Sequence, residues 1–275
     1  MPLARSLLTA QSTLLLLGAG ACGGTEPPRT YQHADAGVGL PLPEEAGTRV
    51  FALEQVSSEI VTNPSPFSND TAVSSLTAWL RVRWSREGEE IVWDEALCAM
   101  RSNEIFGTTT RYPQAFLESI PRRQRSGRLA AAQVGATFEA GPFVDLFGVR
   151  LTDPASEALP TGPDDPRVED SDGDGEPGIT VAVEQSLLGS GEVFVAQRST
   201  SSYEGVVVSP DRLEGEVRVI TEKTVLGATA GWLESGTEAA PDPDPTHNYF
   251  IFQAVPDHTT CTQIVLNRDR IFDEG

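Results

Sequence analysis

From Leu76 to Trp84 apolar and polar positions alternate. Leu76, Ala78, Leu80, Val82 and Trp84 fall on one side, and Thr77, Trp79, Arg81 and Arg83 on the other. A period of two marks a strand with two unlike faces. Ser85 to Glu89, containing Gly88, reads as a turn, and Ile91, Trp93 and Cys98 carry a second strand over Glu90–Met100, so the pair predicts a hairpin. Thr48–Ile60 sets Val50, Leu53 and Val56 among polar residues, a spacing that fits a strand or a short helix. Further strands are predicted at Val134–Phe138, Phe143–Leu151, Ile179–Val183, Glu192–Ser199, Tyr203–Val208, Glu214–Leu226 and Asn248–Val255. Helical signals are few. Pro113–Ile120 begins on a proline and stops before Pro121, and Cys261–Phe272 fits a short helix. Ala239–Pro245, with three prolines, reads as an extended loop.

Many short strands separated by turn residues predict a mostly β fold, an antiparallel sandwich or barrel with one or two short helices. Residues 48–275 read as a single β-rich domain containing an acidic loop at 153–178. The arginine run Arg122, Arg123, Arg125 and Arg128 has no apolar period and is expected to be a solvated loop.

The first 47 residues depart from this pattern. Arg5 follows the amino terminus, then come Leu7, Leu8 and Leu14 to Leu17, then Gly18-Ala19-Gly20-Ala21-Cys22. A basic end, a short apolar run and small residues are the marks of an export signal, and the run is too short for a membrane span. Small residues directly before a cysteine resemble the lipobox of bacterial lipoproteins, although Ala19 stands where that motif usually has Leu. The resemblance implies removal of 1–21 as a signal peptide, lipidation of Cys22, and anchoring of the chain to a bacterial membrane. Gly23 in the next position points to the outer membrane rather than the inner one. The glycine- and proline-rich stretch from Cys22 to Gly47 is expected to be a flexible tether.

Charge and cysteines sharpen this address. The net charge is −20, of which residues 153–275 carry −17. Such a surface repels nucleic acid and anionic headgroups and attracts cations. Lys223 is the single lysine beside nineteen arginines. Cys98 and Cys261 make an even pair in an oxidising compartment, so a disulfide is expected, two separate buried thiols being the alternative.

The sharpest chemical feature is Asp170-Ser171-Asp172-Gly173-Asp174-Gly175-Glu176. Carboxylates at alternate positions can converge in a curled loop, and a hard cation such as Ca²⁺ takes six to eight oxygens at such a site. Asp170, Asp172, Asp174 and Glu176 are the candidate ligands, with Asp242 and Asp244 as conceivable distant donors. The first half resembles an EF-hand loop, but Val181 stands where the closing Glu belongs, so the expectation is a structural calcium loop between strands. The sequence carries no catalytic serine, zinc or phosphate-loop motif, and no catalytic residue is assigned. Asp172 to Val181, with the lipobox-like segment and Val225-Leu226-Gly227-Ala228, resembles predicted lipoproteins of myxobacteria, a group without an assigned activity.

The functional expectation is a non-enzymatic ligand- or partner-binding module of the cell envelope, tied to the membrane by its lipid. Its partner would be a protein or a small molecule, not nucleic acid. Two alternatives remain at this point: a carboxylate-dependent hydrolase, and a lipocalin-like small-ligand carrier with an apolar cavity open at one end.

Overall fold

The computed structural model describes residues 25–33, 40–42, 48–63, 70–234 and 239–272. Eleven strands are present: β1 (Arg49–Thr62), β2 (Thr71–Glu87), β3 (Glu90–Ser102), β4 (Thr108–Arg111), β5 (Arg123–Leu129), β6 (Thr137–Phe147), β7 (Ile179–Gln185), β8 (Gly189–Ser209), β9 (Arg212–Ala228), β10 (Ala239–Pro241) and β11 (Tyr249–Val255). Three short helices accompany them, α1 (Gln114–Ser119), α2 (Cys261–Leu266) and α3 (Arg268–Phe272). Cys22 and the rest of the predicted signal segment lie outside the described residues.

All pairings are antiparallel, in the order β8-β6-β5-β3-β2-β1-β11-β9, and β9 pairs back onto β8. That last pairing closes a ring, so the fold is a barrel rather than a sandwich. The ring is complete at the end near the β2–β3 turn, hereafter the lower end. Gly88, at φ +64, and Glu89 form the two-residue tip of that hairpin, so the strands extend through Ser85–Glu87, which the pattern assigned to the turn. At the upper end β8 outruns β6 and pairs instead with β7, which pairs with β4, while β1 leaves β11 and pairs with β10. Two arcs, β9-β8-β7-β4 and β3-β2-β1-β10, thus make up the upper end.

Inward positions alternate as the pattern predicts, but their sizes differ by level. In the lower half Phe51, Trp84, Trp93, Phe138, Phe250 and Phe252 fill the lumen, in edge-on and tilted ring contacts at 4.2–6.3 Å. An eight-stranded ring is just wide enough to be filled this way. Gly205 makes room for this packing, since a Cβ there would sit 2.7 Å from the Phe250 ring. β11 is buried on both faces: Phe250 and Phe252 point inward, and Tyr249 and Ile251 point outward under α2 and α3. Thr260 caps α2 by accepting from the Gln263 N–H, and the Gln263 side chain accepts from the Thr260 N–H in return.

The expected disulfide is formed. Cys98 lies where β3 bulges opposite Trp79 and Leu80, which turns its side chain outward, and Cys261 opens α2. The bond joins residues 163 positions apart and staples the helical cover to the wall.

Several expectations need correction. The arginine run is strand β5, not a solvated loop: its inward positions Arg123 and Arg125 are charged, which hides the apolar period. The two strands predicted over 134–151 are one strand, β6, with a register shift between Ala140 and Phe143 where Pro142 has no N–H to offer the ladder. The segments predicted at Glu192–Ser199 and Tyr203–Val208 are one 21-residue strand, β8. Part of the proline-rich loop is β10.

Residues 25–33, expected within a free tether, dock on the barrel wall. The Tyr31 hydroxyl donates to Glu214 Oε2 (2.7 Å) and accepts from Arg212 Nη2 (2.5 Å), and Arg29 pairs with Glu54 (3.2 Å). Glu54 and Glu214 are fully buried on the outer face, and a buried carboxylate requires such partners.

Candidate functional site

Two places on this scaffold carry chemistry: the lumen of the upper half and the acidic loop. In the upper half the inward residues are small or slender, and they leave a cavity of about 850 Å³. One upper wall is aliphatic, with Ile179, Val181 and Val183 from β7, Val193 and Val195 from β8, and Val225 from β9, while the opposite arc adds Ser57, Glu59, Ser74 and Ser102 beside Val61 and Leu76. Phe116 of α1 packs against Ile179 and Val195. The rim includes Leu187 and Leu188 at the β7–β8 turn, which are 68% and 60% exposed, with Trp232 and Leu233 beside them. A volume of this size lies within the range of small-molecule pockets, roughly 300–1,000 Å³.

Below these walls lies a polar belt. Successive cross-strand rows place Asp145, Ser199 and Thr221 side by side, and then Phe147, Gln197 and Lys223. From β5 and β3, next along the ring, Arg123, Arg125 and Glu95 reach the same level. Arg125 is buried and bonds Glu95 Oε1 (2.7 Å) and Asp145 Oδ2 (2.8 Å). Burial works against its charge, but the two carboxylates outweigh burial and hold its pKa above the ordinary value. Arg123 Nε lies 3.1 Å from Asp145 Oδ1, and its guanidinium rests 5.2 Å over the Phe147 ring. Beneath the belt the Tyr203 hydroxyl donates to Gln55 Oε1 (2.7 Å); burial raises its pKa, so it remains a donor at neutral pH. Glu95 and Asp145 are two acids in one cavity, as a hydrolase would need. Both are bound to the Arg125 guanidinium, and Asp145 pairs with Arg123 as well.

The belt was missed in the sequence reading because its members come from β3, β5, β6, β8 and β9 and show no motif. The signal available was charged residues at inward strand positions, which reads as a solvated loop when neighbours are unknown.

The acidic loop curls as expected. Asp170, Asp172 and Asp174 each bring a carboxylate oxygen within 4.8 Å of the others. Glu176 is exposed and lies outside that group; its N–H donates to Asp174 Oδ1 (2.9 Å). Asp242 and Asp244 do not reach it either. They sit in a turn of their own, with Asp242 Oδ2 2.7 Å from His247 Nδ1 and Asp244 Oδ1 capping Thr246. Backbone N–H groups of Gly173 and Gly175 donate to Asp170, and the Thr180 N–H to Asp172 Oδ2 (2.8 Å). Burial, and then the neighbouring Asp174 and Asp170 charges, raise the Asp172 pKa against the pull of the Thr180 N–H. Asp172 Oδ1 is buried without a hydrogen-bond partner. An orphaned carboxylate oxygen among like charges fits a cation site, and the three aspartates could together hold a metal ion. Gly178, at φ +91, ends the loop where a side chain would collide with the Val195 carbonyl, and β7 begins directly after it.

The remainder of the acidic segment is pinned to the outside of β8. Arg167 pairs with Asp165 (2.6 Å) and Glu157 (2.9 Å), and Arg198 Nη1 donates to the Glu157 carbonyl (2.7 Å) while pairing with Glu222 (2.6 Å).

A scan against protein-family models finds no match, and searches of the curated proteins and of the solved structures return none. Fold and site therefore define the class by themselves: a closed antiparallel barrel, packed at one end and hollow at the other. No helix among the described residues is long and apolar enough to cross a membrane.

Proposed function

We propose that this chain is a lipid-anchored envelope protein whose barrel binds an apolar small molecule. The observation that carries the reading is the hollow upper half, a lumen of about 850 Å³ with an aliphatic wall that opens at a rim bearing exposed leucines. A soluble fold that leaves this much apolar surface unfilled forgoes packing that a few larger side chains would supply. Among the sequence alternatives this favours the small-ligand carrier, and it keeps the expected binding module. Address and anchor rest on the segment ending at Cys22, and the docked strap at 25–33 leaves only a short link between that residue and the barrel. The three aspartates would hold Ca²⁺, which would neutralise their charges and brace the start of β7.

N-phenylnaphthylamine, a neutral apolar fluorophore, tests the cavity. Saturable binding at one site is expected, and Thr221→Trp, which places an indole in the lumen, should weaken it. A wild-type protein that leaves the dye dark, or a variant that binds it with unchanged affinity, would reject this reading.

A further inference from the structure

The polar belt gives the cavity a direction. We propose that its ligand is an amphiphile with a single carboxylate headgroup, held head-down at the belt by Arg123 and Lys223, with its hydrocarbon rising to the rim. This rests on the reading of the cavity as a ligand site and names the chemistry that the site would take.

Arg123 places its Nε 3.1 Å from Asp145 Oδ1, and among the described residues its terminal N–H groups donate no hydrogen bond. It lies on the cavity wall and is held there on the Phe147 face. A planar guanidinium with unspent donors matches a carboxylate in two-point geometry. Lys223 stands in the same cross-strand row as Phe147, two strands away, or about 10 Å of backbone, which two long side chains can close around one headgroup. Glu95 and Asp145 are committed to Arg125, so the belt carries a net charge of one positive unit in a chain of −20. Glu59, the remaining charged residue of the lining, lies outside the belt on β1 and acts on Tyr112, which follows β4. One monoanion therefore balances the belt. Above it, Ile179, Val195 and Val225 offer only hydrocarbon up to the leucines of the rim. A head placed at the rim would leave the Arg123 donors unmet and put apolar chain against charge, which costs more than the reverse arrangement.

The test compares hexadecanoate with hexadecanol by displacement of N-phenylnaphthylamine from the full chain. Hexadecanoate should bind at least about tenfold more tightly, as expected for a charged hydrogen-bonded pair. Arg123→Gln and Lys223→Met, made singly, should each remove most of that preference while dye binding is retained, which reports an intact cavity. Lys223 is exposed, so its variant keeps the test open should Arg123→Gln fail to fold. Equal binding of acid and alcohol, or a preference that survives Lys223→Met, would overturn the inference and leave the apolar-cavity reading standing. Much tighter binding of hexadecyl phosphate than of hexadecanoate would overturn the monocarboxylate assignment. Failure of the dye to bind the wild type would remove both readings together.

Discussion

The lower and upper halves of the barrel are built from the same long strands and are held together in opposite ways. Below, the ring is closed by hydrogen bonds and its lumen is filled by aromatic side chains, so stability comes from the inside. Above, the ring parts into two arcs, the inward residues are serine, threonine, glutamine and valine, and support comes from outside. There the loop at 149–168 covers the outer face through Val149, Leu151 and Phe194, and the aspartate loop sits at the start of β7. A lumen that is filled serves stability, and one that is left empty can serve binding. The cost is that the hollow half depends on surface devices.

The largest effect expected concerns the staple that spans the helical cover and β3. Replacing Cys98 and Cys261 together by serine removes a closed loop of 163 residues. The loss should be on the order of 5 kcal/mol in the chain-entropy picture, read by urea unfolding of wild type and variant. A change below about 1 kcal/mol would show that the barrel needs no staple.

Phe250→Ala and Thr221→Trp address the two halves directly. Phe250 is fully buried among the aromatics, and its truncation should cost about 3–5 kcal/mol. Thr221→Trp enters empty space, so it should change stability by no more than about 1 kcal/mol while weakening dye binding. Similar costs for both would mean that the upper lumen is packed in solution and that the contrast fails.

Calcium should sharpen the contrast by acting on the hollow half alone. At ten to a hundred times its dissociation constant the ion should add about 1.4–2.7 kcal/mol. Hydrogen exchange should slow in β7 and β4 and stay unchanged in β11. Asp172→Ala with Asp174→Ala should erase the effect, and slowing spread evenly over the barrel would contradict it.

The smallest effect is one of pH. The Asp172 carboxyl is raised in the fold, so its ionised form is the disfavoured one. Without calcium its penalty is absent below the ordinary carboxylate range, near pH 4, grows as pH rises through the raised value, and is fully present at neutral pH. Asp172→Asn should therefore leave the calcium-free protein equal or slightly more stable at pH 7, with no gain at low pH, in thermal melts. A marked loss at pH 7 without calcium would show that the carboxylate is already satisfied by other means.

Much of the site chemistry was legible in one dimension where it is local. The aspartates of the loop lie within five residues, and their convergence follows from alternation and two glycines. The belt is different, since Arg123, Asp145 and Lys223 are spread over a hundred positions and meet only through strand pairing. Arg125 shows why the run around it was misread: its partners Glu95 and Asp145 are 30 and 20 residues away, so the sequence displays a charge without its compensation. Glu54 and Glu214 repeat the lesson on the outer face, where Arg29 and Tyr31 of an apparent tether complete them.

Alternation by itself determined that the chain is a mostly antiparallel β protein, that the segments either side of Gly88 form a hairpin, and which side of β2 faces inward, because side chains on a strand must alternate. The even cysteine count pointed to a disulfide, and the structure decided it by bringing Cys98 and Cys261 together. The tertiary structure alone decided that the sheet closes on itself, because closure depends on β9 finding β8 while also holding β11. It alone decided that the lumen is filled below and empty above, because that depends on which inward side chains meet at one level across eight strands.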